Sequence, residues 1–235
     1  MTSASTLTIP FEIVGFDLDG TLLDTSGDLA AAVNHALASA GRPPLTVEQV
    51  KPMIGGGARH MLAQGLAVSG MAATDGCSEA ELDVLHRRLL DHYEANICIE
   101  TRPYPGALDA LDALAASGVR LAVVTNKIER FARIVLATLG LTDRFAAIIG
   151  GDTLGPGNAK PSPAPIHAMV TRCGGGRAAF VGDSIYDIAA AHAAGLPAIA
   201  VSFGFMQQPV EELGADRVID RYEELIPALA TLRRR

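Results

Sequence analysis

Positive charge is in short supply in this sequence. Lysine and arginine total 19 against 26 aspartates and glutamates, giving a formal net charge of −7 and a pI of about 5.3. Such a balance leaves no overall field to draw in nucleic acid or an anionic membrane surface, so an anion must be met by a few placed donors. Cysteine is equally sparse. Cys77, Cys98 and Cys173 stand far apart with no C-x-x-C pair, which argues against a structural zinc site and for reduced thiols in a cytoplasm. The histidines have no ligand spacing; His86 and His92, on one helical pattern, face different ways. No apolar run has the length of a membrane span. The opening "MTSASTLTIP" has neither the basic start nor the apolar core of a secretory signal. The closing "LRRR" reads as a solvated helix end that suits the helix dipole.

What is present is a globular composition. The chain has 235 residues, 49% hydrophobic and 19% charged, enough for one large domain or a domain with a smaller companion. Residues 12–16 form a short apolar strand pattern. From about residue 105, "GALDALDALAASG", "IERFARIVLATLG", "PAPIHAMVTRC", "SIYDIAAAHAAG" and "YEELIPALATLRR" read as helices. They alternate with strands at "RLAVVT", "FAAIIG", "AAFVG", "PAIAVS" and "DRVID". Apolar strands between helices predict an α/β fold with a parallel, doubly wound sheet covered on both faces. Residues 26–97 break the rhythm with helical patterns and no convincing strand. One helix spans 27–40 and stops at Gly41 and the Pro43–Pro44 pair. Capping boxes at Thr46/Gln49 and Ser78/Glu81 open others, and another follows the glycines at 55–57. Met53, Met61, Met71 and the leucines here fit helix packing. The pattern predicts a small helical domain inserted after the first strand, with a return hinge near "ETRPYPG".

On this map the polar residues gather at one edge. Asp17 ends the first strand, Thr125 and Asn126 follow "RLAVV", Gly151 and Asp152 follow "FAAII", and Asp183 follows "AAFVG". Ligands of open α/β sheets bind outside those carboxyl ends. Asp17, Asp19 and Asp183 would therefore share a small space. Two unit charges about 5 Å apart repel by roughly 3 kcal/mol at an effective dielectric of 20, so a cation is required. Magnesium suits oxygen ligands, water and a phosphate. Lys160, stiffened by Pro161, Pro163 and Pro165, could neutralise charge beside an aspartate and a phosphoryl group. It is not a P-loop lysine, because no glycine precedes it and a proline follows. "CGGGR" at 173–177 reads as a connection rather than a phosphate cradle.

"DLDGT", "VVTNK", "KPSP" and "GDSIYD" occur in that order on these elements. With "YPGALDALDALAASG" and "AAAHAAGLPAIAVSFGF" they resemble the motifs of the haloacid dehalogenase superfamily over nearly the whole chain. "IGGGAR", "TNK" and "GGDT" are similar to its phosphoglycolate phosphatase group. The resemblance implies a Rossmann-like catalytic core from residues 1–24 and 104–235 and a helical cap from 25–103. It implies a magnesium-dependent phosphatase that converts 2-phosphoglycolate to glycolate and phosphate through an aspartyl-phosphate. Asp17 would be the nucleophile. Asp19 would protonate the leaving alkoxide and then activate water, brought beside Asp17 by the turn at Gly20. Thr125 and the Asn126 N–H would hold phosphoryl oxygens, and Lys160 would offset their charge. The metal ligands would be Asp17, Asp183 and the Asp19 carbonyl, with Asp187 supporting the metal waters or Lys160.

On the cap, the glycines of "IGGGAR", Gly56 among them, would let amides approach a small anion, and Arg59 would pair with a carboxylate. Ile185 and Tyr186 stand where members of the family that the chain resembles often carry polar residues, and "LGPGN" before Lys160 departs from the pattern. Other readings are a sugar-phosphate phosphatase or mutase, or a pyrophosphatase. Outside the class stands a phospho-accepting signalling receiver, a shorter chain without inserted helices that carries its acceptor on a middle strand. A dehalogenase would not need Asp19. The expected partner is a small phosphorylated substrate, with no nucleic acid or membrane, and the chain is expected to be a monomer or homodimer.

Overall fold

A computed structural model of the chain describes residues 8–70 and 77–233. Expectations for residues 1–7, for Met71 and for the last two arginines fall outside that range. Strands β1 (Ile13–Phe16), β4 (Arg120–Val124), β5 (Ala147–Ile149), β6 (Ala178–Gly182), β7 (Ala198–Val201) and β8 (Arg217–Ile219) form a six-stranded sheet of order β5-β4-β1-β6-β7-β8. Every pairing is parallel. β1 lies inside the sheet between β4 and β6, buried on both faces, which is why it reads as an unbroken apolar run.

Alternation divides the strand residues between two layers. Val14, Phe16, Leu121, Val123, Val181 and Val201 face helices α5 (Ala107–Ala116), α6 (Glu129–Thr138) and α9 (Leu225–Thr231). Ile13, Ala122, Val124, Phe180 and Ala200 face α7 (Ala164–Arg172) and α8 (Ile185–Ala193). Gly15 belongs to the second set, and a Cβ there would meet the Met169 sulfur at 2.2 Å. α9 closes at Thr231, earlier than the tail pattern suggests. Leu232 is buried and leaves the helix, so Arg233 is not part of a helix end.

Between β1 and β4 run α1 (Ser26–Ser39), the single turn α2 (Val47–Val50), α3 (Ala58–Val68) and α4 (Glu79–Ala95). Both capping boxes form, at Thr46/Gln49 and at Ser78/Glu81. These helices bury Val33, Leu37, Leu62, Leu89 and Tyr93 in a cluster of their own, joined by Phe131 and Phe205 from the sheet-bearing part. The chain enters and leaves this helical group side by side. β2 (Leu23–Asp24) pairs antiparallel with β3 (Arg102–Pro103), where the sequence predicts a hinge of turn residues. Two-residue strands are too short to leave an alternation signal. Asp28 in the first turn of α1 seals the crossing, accepting from the N–H groups of Glu100 and Thr101 and from the Thr101 hydroxyl.

Candidate active site

The carboxyl ends of β1, β4 and β6 deliver Asp17, Thr125 and Asp183 to one buried place. Carboxylate oxygens of Asp17, Asp183 and Asp187 lie within 4.8 Å of one another. Lys160 enters from the loop before α7, where its bond to Pro161 is cis. Its Nζ donates to Asp187 Oδ1 at 2.5 Å and to the Val124 carbonyl at 2.8 Å. It also stands 2.8 Å from Asp17 Oδ1 but off the line of a hydrogen bond, so that oxygen is buried without a hydrogen-bond partner among the described residues. Burial raises Asp17, with Asp187 next, to about 7 against the ordinary 3.8, despite the nearby Lys160. Burial, then Asp187 and Asp17, push Asp183 well above the carboxylate range. Burial works against the charge of Lys160, yet Asp17 and Asp187 raise it to about 12. Three acids against one ammonium cannot all ionise without a further cation, which is why burial and mutual repulsion raise Asp17 and Asp183, and their oxygens are hard donors. That donor set fits a divalent cation of the magnesium kind.

Small residues permit this packing. Gly20 turns the chain after Asp19 at φ +84°, and a Cβ there would lie 2.1 Å from Asp183 Oδ2. A Cβ on Gly182 would strike the Asp187 side chain at 2.3 Å. Asp183 is fixed by the Phe205 N–H at 2.7 Å and the Thr21 hydroxyl at 3.3 Å. Asp187 Oδ2 accepts from the N–H and hydroxyl of Ser184, the N-cap of the helix α8 that carries Asp187.

Asp19 lines the same cavity as Asp17, but its carboxylate is not in the acid cluster. Lys127 binds both of its oxygens, at 2.8 and 2.9 Å, and the Thr25 hydroxyl donates to Oδ1 at 2.8 Å. Burial opposes the charge of Lys127, but Asp19 outweighs it and holds the ammonium above its ordinary pKa. The sequence motif "TNK" contains Lys127, yet nothing in its spacing reveals this ion pair. Tyr93 of α4 is also missed; Lys127 Nζ lies over its ring, 4.8 Å from the centroid.

Asn126 and the glycine loop meet directly. The Asn126 side-chain amide donates to the Gly55 carbonyl at 2.9 Å and to the Lys160 carbonyl at 3.0 Å. Gln207 donates to the Ile54 carbonyl at 2.8 Å. Gly55, Gly57 and Ala58 line the cavity, whereas Gly56 lies behind them against His60 and the Tyr186 hydroxyl. Arg59 does not reach the cavity. It is half-exposed and bound to Glu79 at 2.5 Å and Asp83 at 2.9 Å on α4. The expectation that its guanidinium meets a substrate carboxylate is therefore not met in this structure: two acids nearer on the helical surface hold it. Asp152, at the end of β5, accepts from the Glu129 N–H and starts α6 rather than joining the acids.

The family model described as haloacid dehalogenase-like hydrolase matches residues 14–201. A phosphoglycolate phosphatase of Agrobacterium fabrum is 44% identical, over 91% of this chain and 90% of that protein. One of Caulobacter vibrioides is 41% identical, over 93% and 91%. Among solved structures, a protein described as a predicted phosphoglycolate phosphatase from Haemophilus somnus superposes with a TM-score of 0.85. It has 32% identity and covers 93% of this chain and 97% of that one. The motifs, the six-stranded parallel sheet and the matches over most of its length agree: the chain belongs to the haloacid dehalogenase-like hydrolases.

Proposed function

We propose that this hydrolase is a magnesium-dependent phosphatase acting on 2-phosphoglycolate through an aspartyl-phosphate on Asp17. The observation that carries the reading is Asp17 Oδ1, ion-paired with Lys160 but accepting no hydrogen bond among the described residues, on a residue that lines the same cavity as Asp19 and Thr125. A carboxylate oxygen with a free lone pair is a competent nucleophile, and exclusion of water strengthens every charge around it. Asp17 Oδ1 attacks phosphorus while Thr125 and the Asn126 N–H hold phosphoryl oxygens, and Lys160 draws off negative charge as it accumulates. Asp19 delivers a proton to the departing glycolate oxygen and then takes one from the water that cleaves the acyl phosphate. Asp17, Asp183 and the Asp19 carbonyl would hold the metal, with Asp187 fixing Lys160. The metal, when bound, supplies charge neutralisation between nucleophile and phosphoryl group.

Helices α1–α4, residues 25–103 by the sequence division, act as a cap over the core of 1–24 and 104–235. The glycine loop faces Asn126 across the site. The cavity is small, about 60 Å³, which favours a two-carbon ester over a sugar phosphate. The free cysteines are consistent with a cytoplasmic enzyme. A panel of phosphate esters assayed with magnesium tests the proposal. Highest kcat/KM on 2-phosphoglycolate supports it; preference for hexose phosphates or pyrophosphate overturns the substrate, and persistent phosphorylation without turnover overturns the phosphatase reading.

A further inference from the structure

We infer that Lys127 and the Tyr93 hydroxyl, with the first amides of α3, form the subsite for the carboxylate of the substrate. This rests on the phosphoglycolate reading and names the groups that would enforce it. Three sets of donors stand on residues that line the cavity. An ammonium has three N–H donors. Those of Lys127 serve the two oxygens of Asp19, and its remaining side faces Tyr93, with the ring centroid 4.8 Å away and the hydroxyl beside it but outside hydrogen-bond geometry. Tyr93 is 2% exposed, and its hydroxyl is buried with no hydrogen-bond partner among the described residues. Such a group is uncommon in a folded protein and calls for an explanation. The third set is at the start of α3. Gly57, its N-cap, has no side chain with which to satisfy the opening amides, and both Gly57 and Ala58 line the cavity.

A carboxylate supplies what these donors lack: two oxygens that accept several hydrogen bonds and one negative charge. Lys127, Tyr93 and Ala58 line the cavity that also contains Asp17 and Thr125. A ligand whose phosphoryl group meets Asp17 can therefore present a second anion to them over a short span. Lys127 comes from the core and Tyr93 from α4, so such an anion would bridge the two parts of the molecule. An ion pair with Asp19 accounts for Lys127 but leaves the Tyr93 hydroxyl beside it without a partner in hydrogen-bond geometry. Arg59 has its own acidic partners and no place in this subsite.

The test compares esters with and without the carboxylate. For wild type, Tyr93→Phe, Lys127→Met and Lys127→Arg, kcat/KM is measured with 2-phosphoglycolate and ethyl phosphate. Binding of 3-phosphonopropionate and propylphosphonate is followed by calorimetry. Wild type should prefer the carboxylated member of each pair. Tyr93→Phe should lower that preference about tenfold and Lys127→Met about a hundredfold, the loss of one or more hydrogen bonds to a charged group. Lys127→Arg should recover part of it. Tyr93→Phe keeps the ring and removes only the hydroxyl beside Lys127, so it decides the matter even if Lys127→Met fails to fold. An unchanged ratio in Tyr93→Phe, or equal losses on both members of a pair in Lys127→Met, overturns the inference, as does a wild type indifferent to the carboxylate. A wild type that prefers a different carboxylated ester overturns phosphoglycolate as substrate and leaves the subsite standing if the variants still lose the preference.

Discussion

At Asp17 the folded protein holds a proton that the unfolded chain gives up. Its pKa rises from 3.8 to about 7, through burial first and Asp187 second. Below about pH 4 both states are protonated and the shift has no effect. As pH rises towards 7 the unfolded state ionises first, so stability falls, and above 7 the full penalty is present. Metal-free protein should therefore lose stability between pH 4 and 7, and Asp17→Asn should flatten that slope in urea titrations. An equal slope in both proteins would mean that Asp17 is not the source. The same substitution should abolish phosphatase turnover, because an amide cannot attack phosphorus at a useful rate. Magnesium should raise the melting temperature of the wild type above pH 7 by relieving the same repulsion; no shift at millimolar magnesium would count against a site at these acids.

Elements matter here through the close approaches they allow. Alanine at Gly20 must adopt φ +84° and place its Cβ 2.1 Å from Asp183 Oδ2. We expect Gly20→Ala to cost about 2 kcal/mol or more and to weaken magnesium binding by displacing Asp183. A melting curve and a metal titration read the two effects separately. At the crossing between the helical group and the sheet, Asp28 satisfies two backbone amides and a hydroxyl. Asp28→Ala leaves those donors buried, so a loss of about 3 kcal/mol is expected in chemical denaturation. A loss under about 0.5 kcal/mol would show that water takes over the role.

The molecule as a whole joins its two parts across the cavity. Besides the shared cluster at Phe131 and Phe205, the hydrogen bonds Asn126 to Gly55 and Gln207 to Ile54 tie core to glycine loop. Gln207 is exposed and its bond contributes on the order of 1 kcal/mol. If the helical group closes over substrate as proposed, Gln207→Ala should raise KM several-fold while shifting the melting temperature little. A fall in kcat alone would instead tie the contact to chemistry or product release.

Local sequence was sufficient for the sheet and most helices. Strands such as "AAFVG" and "RLAVV" are short apolar runs between glycine-stopped helices, and that pattern is written in consecutive residues. The capping boxes at Thr46 and Ser78 are local too, three residues from donor to acceptor. That Asp17, Thr125 and Asp183 would meet was legible because a parallel sheet must bring the ends of its strands together, whatever their separation in the chain, whereas Lys160 comes from the loop before α7. Side-chain partnership was not legible. Asp19 and Lys127 are far apart in sequence and meet through the packing of β1 beside β4. Arg59 looks free in "IGGGAR", but α4 brings Glu79 and Asp83 to it. The Tyr93 hydroxyl becomes a buried, unspent donor only after α4 packs over the sheet ends. Backbone pattern follows from nearby residues, whereas the pairing of long charged side chains is decided by whichever opposite charge folding leaves within reach.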